Sequence, residues 1–255
     1  MLLVMDVGNT NTVLGVYEKT KLLAHWRLTT VRDRTVDEYG ILARNLLSLA
    51  ALDAARIDAI IIASVVPPLN GILETMAQSY FKVRPLFVEP GVKTGMPILY
   101  ENPQEVGADR IVNGVAAYER VRGAVIVVDF GTATTFDAIT GKGEYLGGAI
   151  APGLAIASEA LFQRAARLPR VDLRKPPRVI GRNTIHSLQS GLFHGYIGLV
   201  RGILEKMRAE LGEPARTLGT GGLAAPLHDE LRGLLDDVDP NLTLEGLRIL
   251  HDRNR

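Results

Sequence analysis

The stretch LLVMDVGNTNT at residues 2–12 returns as VIVVDFGTATT at residues 125–135, an offset of 123 in a chain of 255 residues. Laid over one another without a gap, the two copies place Asp6 on Asp129, Gly8 on Gly131 and Thr12 on Thr135. Each copy runs from four apolar residues into an aspartate, then a glycine, then a run of hydroxyl and amide side chains. An offset close to half the chain is the mark of an internal duplication. Two similar lobes make a cleft between them, and ligand sites favour such clefts.

The pattern around each copy is alike. Residues 1–5, 12–17 and 22–28 are apolar runs split by polar turns, which predicts an antiparallel meander. TVDEYGILARNLLSLAAL then spaces its apolar residues three and four apart, and Thr35 with Glu38 has capping-box spacing, so a helix follows. IDAIIIASVV is a continuous apolar strand buried on both faces, PPLNGILETMAQSYF a helix with proline in its first turn, and PLFVE a further strand. The first half therefore reads βββαβαβ. Residues 89–107 form a loop with three prolines and three glycines, long enough to be functional or interfacial. A helix is predicted over 108–120. In the second half, three strands split by glycine-rich turns precede helices at 154–166 and 184–210, a short strand at 217–218 and a helix after GTGG. The lobes divide as 1–117 and 118–255.

Composition removes several functions. With 29 basic and 28 acidic residues the net charge is +1, which gives no support for bulk electrostatic binding to nucleic acid or membrane. The absence of cysteine excludes disulfides, thiolate catalysis and thiolate-bound metals. No apolar run approaches the roughly 18 residues of a membrane span, and no leader-like pattern opens the chain, so a soluble cytosolic protein is expected. Residues 164–184 carry seven basic residues and one acid but no aromatic residue for stacking on bases, and read as a solvated or interfacial loop. Asn183 and Thr184 cap the long helix beyond it. The five histidines lack metal-ligand spacing.

The paired glycine turns carry the chemistry. Glycine permits a tight turn and close approach of a ligand, and successive backbone N–H groups make a concave anion site. An aspartate repels phosphate unless a cation sits between them. Mg²⁺ is typically held by one or two carboxylates together with substrate phosphates. Asp6 and Asp129 thus read as cation-side ligands on opposite walls of a nucleotide cleft; two hairpin turns with Asx capping are the alternative. In EVGADRIVNG, Asp109 falls in the first turn of a helix. It either complements the helix dipole or serves as a general base, and Asn113 one turn on shares its face. The dipole lowers its proton affinity while burial and other carboxylates raise it, and the sequence does not decide between them. Arg110 could grip a carboxylate or a phosphate through its planar fork. The glycines of TLGTGG at 217–222 allow close approach of a base or ribose, and GGAIAPG at 147–153 reads as a strand-to-helix bend near the cleft.

DVGNTNT, DFGTATTFD and GTGG resemble the first phosphate, second phosphate and adenosine motifs of the superfamily that holds acetate and sugar kinases, heat-shock chaperones and actin. With GADRIVN, GGAIAPG and the NT before the long helix, the chain from residue 2 to about 250 resembles the type III pantothenate kinases. That resemblance implies an α/β fold of duplicated ribonuclease-H-like (actin-like) βββαβαβα lobes with a nucleotide cleft between them. It implies transfer of the γ-phosphate of ATP to the 4′-hydroxyl of pantothenate, the first step of coenzyme A synthesis. By the same resemblance, Asp6, Val7, Gly8, Asn9, Thr10, Asn11, Thr12 and Val13 bind ATP together with Thr132, and Asp109 is the proton acceptor. Tyr100, Gly107, Ala108, Asp109, Arg110 and Thr184 line the pantothenate site. Asp129 binds a monovalent cation, K⁺ or NH₄⁺, while Mg²⁺ accompanies ATP with Asp6 on its side. The resemblance further implies a cytoplasmic homodimer that completes its substrate contacts across the dimer interface. A phosphate-anhydride hydrolase and a nucleotide-dependent regulatory protein are the alternatives on the same fold.

Overall fold

A computed structural model describes residues 1–222, 227 and 229–255. The chain forms two units, one built from Met1–Met96, Glu101–Ala116 and Asn241–Arg255, the other from Pro97–Tyr100 and Ala117–Pro240.

In the first unit, β1 (Leu2–Val7), β2 (Asn11–Glu18) and β3 (Lys21–Thr29) form the antiparallel meander. On its other edge β1 pairs in parallel with β4 (Ala59–Ser64), and β4 with β5 (Leu86–Phe87), giving the order β3-β2-β1-β4-β5. The two central strands are covered on both faces, which is why LLVM and AIII are continuous apolar runs instead of alternating ones. Helix α1 (Val36–Leu49) opens on a full capping box: the Glu38 N–H donates to Thr35 Oγ1 over 3.3 Å and the Thr35 N–H to Glu38 Oε2 over 2.7 Å. The helix predicted over PPLNGILETMAQSYF is composite. A 3-10 turn at Pro67–Leu69 leads into α2 (Asn70–Met76), and a π turn at Ala77–Phe81 ends on Lys82 at φ 59°. The paired prolines have fixed φ and no N–H, which favours the short entry turn. One face of β1, with Leu3, Met5 and Val7, packs on Tyr39 and Leu47 of α1 and Leu73 and Met76 of α2.

The second unit repeats this plan after α3 (Ala108–Val121). Strands β6 (Val125–Phe130), β7 (Ala133–Ile139) and β8 (Tyr145–Pro152) form a meander, and β6 pairs in parallel with β9 (Arg216–Thr220), which pairs with β10 (Asp237–Val238). The order β10-β9-β6-β7-β8 is the first sheet's order read from its other edge, so the duplicated ribonuclease-H-like architecture is present. Helices α4 (Leu154–Arg164) and α5 (Thr184–Leu211) follow β8, and Val128, Phe130 and Phe136 pack on Tyr196, Val200 and Leu204 of α5. The helix expected after GTGG begins on residues outside the described ones, and the described residues 229–235 are turns and isolated bridges.

Two features depart from the sequence reading. Helix α6 (Leu242–Arg253) packs on β1, with Leu244 and Val4 flanking Gly15, and Gly246 lies where a Cβ would strike the Val112 carbonyl of α3. Its apolar stripe of Leu244, Leu247 and Leu250 is buried there. The units are therefore not the contiguous halves 1–117 and 118–255: Asn241–Arg255 joins the first, and the division falls between Ala116 and Ala117 within α3. The second departure concerns the repeat. Strands β1 and β2 close on the pair Val7 and Thr12, whereas β6 and β7 close on Phe130 and Thr134. The Gly8 N–H reaches the Asn11 carbonyl, but the Gly131 N–H reaches that of Ala133. The second turn is shorter by one residue, so the structural counterpart of Thr12 is Thr134, not Thr135.

Candidate active site

In the first unit the turn after β1 is tied down at three points. The Gly8 N–H donates to the Asn11 carbonyl at 3.0 Å, the Thr30 N–H to the Thr10 carbonyl at 2.9 Å, and the Thr30 hydroxyl to the Gly8 carbonyl at 2.7 Å. Thr12 is 0% exposed, and its hydroxyl lies 2.8 Å from that of Thr30. Thr12 thus braces the turn from beneath, and the buried Val7 has only its backbone to offer. Asn9 and Thr10 are exposed, while Asp6, Gly8, Asn11 and Val13 are half-buried. Arg32 holds the Asn9 carboxamide oxygen at 3.1 Å.

The second group of this unit surrounds the start of α3. Asn102 caps a 3-10 turn at Pro103–Glu105, and Val106 is buried before the chain passes Gly107 into the helix at Ala108. The Gly107 carbonyl accepts from the Arg110 and Ile111 N–H groups at 3.1 and 3.2 Å, which fixes the first turn. Within it, Asp109 Oδ1 accepts the Arg110 N–H at 2.9 Å. Burial raises the proton affinity of Asp109 above the ordinary aspartate value, and the N–H and guanidinium of Arg110 oppose it without prevailing. The competition that the sequence left open is decided by desolvation. Arg110 is itself 7% exposed. Asn113 is buried, and its carboxamide oxygen accepts from the Thr243 hydroxyl at 2.7 Å, so it ties α3 to α6.

In the second unit Asp129 is the last residue but one of β6, in register with Thr135 on β7 and Thr220 on β9. Gly221, at φ 91°, sits where a Cβ would strike Asp129 Oδ1 and come within 2.7 Å of the Phe130 backbone. Gly221 thus leaves room for the Asp129 carboxylate. Thr132 is exposed in the short turn, and Gly153 packs the bend between β8 and α4 so closely on that turn that a Cβ would lie 2.7 Å from the Gly131 carbonyl oxygen. Tyr100 rides on a segment laid along β8: the Leu99 N–H donates to the Tyr145 carbonyl and the Tyr145 N–H to the Pro97 carbonyl, both at 2.8 Å. Its ring lies 6.5 Å from the Tyr145 ring and over Gly147, which has φ 127°. Thr184 belongs to a different group: it begins α5 and lines a groove of about 340 Å³ with Leu161, Leu168 and Leu188.

Sequence reasoning quoted Asp137 only as the close of DFGTATTFD and gave it no role. It is 0% exposed, and its two oxygens accept from the Tyr145 hydroxyl at 2.7 Å and the Thr135 hydroxyl at 3.3 Å. The signal was a lone carboxylate inside the apolar alternation of TTFDAI. The donor set around Asp129, a carboxylate with hydroxyl-bearing threonines in register on both neighbouring strands, is hard and oxygen-only. Among the described residues no group of three or more His, Cys, Asp or Glu gathers as a metal cage. Such a donor set fits a hard cation that keeps waters and shares phosphate oxygens.

The model of the type III pantothenate kinase family matches residues 2–206. A type III pantothenate kinase of Anaeromyxobacter sp. (strain Fw109-5) is 61% identical over 255 residues, 100% of each chain. That of Myxococcus xanthus (strain DK1622) is 60% identical over 254 residues, covering 100% of this chain and 99% of the relative. The chain belongs to the type III pantothenate kinase family. A ROK family glucokinase from Streptomyces griseus, solved with glucose and AMPPNP, superposes with a TM-score of 0.56 at 13% identity over 98% of both chains, which supports the fold alone. As a type III pantothenate kinase the chain is a phosphotransferase that uses a nucleotide. The family match spans both glycine turns, the GADR segment and Thr184. Among the described residues no helix is long and apolar enough to cross a membrane.

Proposed function

We propose that this chain transfers the γ-phosphate of ATP to the 4′-hydroxyl of pantothenate, committing pantothenate to coenzyme A in the cytoplasm. The observation that carries the reading is Asp109: a carboxylate at the first turn of α3 whose burial raises its proton affinity, as a general base needs. As the hydroxyl oxygen bonds to the γ-phosphorus and the bond to ADP breaks, the hydroxyl proton passes to Asp109. Phosphoryl transfer asks little more of the protein than positioning and charge stabilisation. Gly107, Ala108, Arg110, Tyr100 and Thr184 hold pantothenate, and the planar fork of Arg110 suits a carboxylate or a phosphate. Residues 6–13 and Thr132 hold the phosphates. Bound Mg²⁺ near Asp6 and K⁺ or NH₄⁺ at Asp129 would neutralise phosphate charge.

The working form is a homodimer. The second unit exposes Ile150 (66%), Val179 (66%) and Ile180 (82%), and apolar surface of this kind favours a partner. Sedimentation of the purified protein reports this directly; a monomer at micromolar concentration rejects it. The functional reading is tested by ATP consumption with and without pantothenate, in potassium and then in sodium buffer. Turnover that needs both pantothenate and potassium is expected. Turnover indifferent to pantothenate rejects the kinase reading in favour of a hydrolase.

A further inference from the structure

A fully buried carboxylate is expensive unless it is hydrogen-bonded and held in place, and Asp137 stands on a strand whose neighbours Phe136, Ala138 and Ile139 are buried and apolar. Its contacts lead in two directions. One oxygen takes the Tyr145 hydroxyl at 2.7 Å; Tyr145 is itself 0% exposed, and its backbone N–H and carbonyl each hold the Pro97–Tyr100 segment at 2.8 Å. The Tyr100 ring then rests 6.5 Å from the Tyr145 ring. The other oxygen takes the Thr135 hydroxyl, whose residue is in register with Asp129. A hydroxyl that donates to Asp137 has only acceptor capacity left for its other side.

We propose that Asp137 is a positioning residue: through Tyr145 it seats the arm that carries Tyr100, and through Thr135 it orients a hydroxyl oxygen beside Asp129. This rests on the assignment of Tyr100 to the pantothenate site. Each hydrogen bond to the carboxylate fixes one rotor, so one buried charge sets the geometry of two groups that act on different ligands.

Tyr145→Phe removes the hydroxyl and keeps the ring, and Asp137→Asn keeps the shape and removes the charge. Losing one hydrogen bond to a buried charge is worth about a tenfold change. Tyr145→Phe should therefore raise KM for pantothenate about tenfold while KM for ATP moves less than about twofold. In a Tyr100→Ala background the same change should have no further effect on pantothenate. Amide exchange at Leu99 should accelerate in both variants while exchange in β6 stays protected, a readout that needs no turnover. A uniform loss of kcat with both KM values and the Leu99 exchange unchanged would show a purely structural role and overturn the proposal. An effect of Tyr145→Phe that adds in full to Tyr100→Ala would overturn it as well. Should Asp137→Asn not fold, Tyr145→Phe decides alone. Failure of the pantothenate reading is separate, because it appears in the unaltered enzyme as turnover without pantothenate.

Discussion

A Cβ on Gly107 would stand 2.5 Å from Oδ1 of Asp109. The missing methyl group is the space that the carboxylate occupies. The obstacle is the end of a side chain, so a larger residue can be accommodated by turning the carboxylate away. Gly107→Ala should therefore melt close to the unaltered protein and lose about a hundredfold in kcat, the scale set by a misplacement of about 1 Å. Thermal melts beside steady-state rates check this; an active alanine variant would mean that the carboxylate position is not critical.

Asp109→Asn should cost about 10²–10⁴ in kcat, the range for loss of a general base. Its stability should move the other way. Because the folded state raises the proton affinity of Asp109, the stability that goes with the protonated group is whole below the unfolded value and is lost as pH rises through the folded value. The neutral amide escapes that loss. Urea titrations should find Asp109→Asn at least as stable as the unaltered chain at pH 8, with any advantage shrinking toward pH 4. The acid limb of the rate profile should lie above the ordinary aspartate value for the same reason.

Asp129→Ala should abolish activation by potassium and leave a slow rate equal in potassium and sodium. Gly221→Ala should act on the same site indirectly. Its φ of 91° carries a strain of about 1–2 kcal/mol for any other residue, and the new Cβ meets the Asp129 carboxylate. Both a lower Tm and a shifted potassium dependence are expected; a normal potassium response would separate Gly221 from the carboxylate it borders.

Thr134 Oγ1 and the Tyr196 hydroxyl lie 2.6 Å apart and are buried. Thr134→Val keeps the shape but strands a tyrosine hydroxyl, at a cost of about 1–3 kcal/mol. Denaturant melts should register that loss while both KM values hold, since the pair braces the turn from its buried side.

The internal repeat carried most of the topology, because an apolar strand that ends in Asp-x-Gly is a local pattern and its second occurrence is readable without coordinates. The same overlay misplaced Thr12, since a turn shorter by one residue leaves no trace in an ungapped alignment; Thr134 has to be recognised from its strand partner. The apolar stripe of α6 could at best say which face is buried, never which sheet covers it, and that sheet proved to be the distant one. Asp109 was legible as a residue to watch, but its proton affinity depends on how many groups crowd it, which is tertiary information. Asp137 was quoted as the close of DFGTATTFD but drew no role, because attention to turns passes over the middle of a strand, where one carboxylate among apolar neighbours was the cue.

The return of α6 to β1 also bears on synthesis. Chains emerge from the ribosome N-terminus first, and domains generally fold as units in that order. Here the second unit is complete once Pro240 has emerged, while the first still waits for Asn241–Arg255. Until then the α6-facing side of β1, with Leu2 and Val4, is uncovered. The half of the protein made first is the half finished last, and an arrest or proteolytic nick close to residue 240 would spare the unit that bears Asp129 and leave the one that bears Asp109 unfinished.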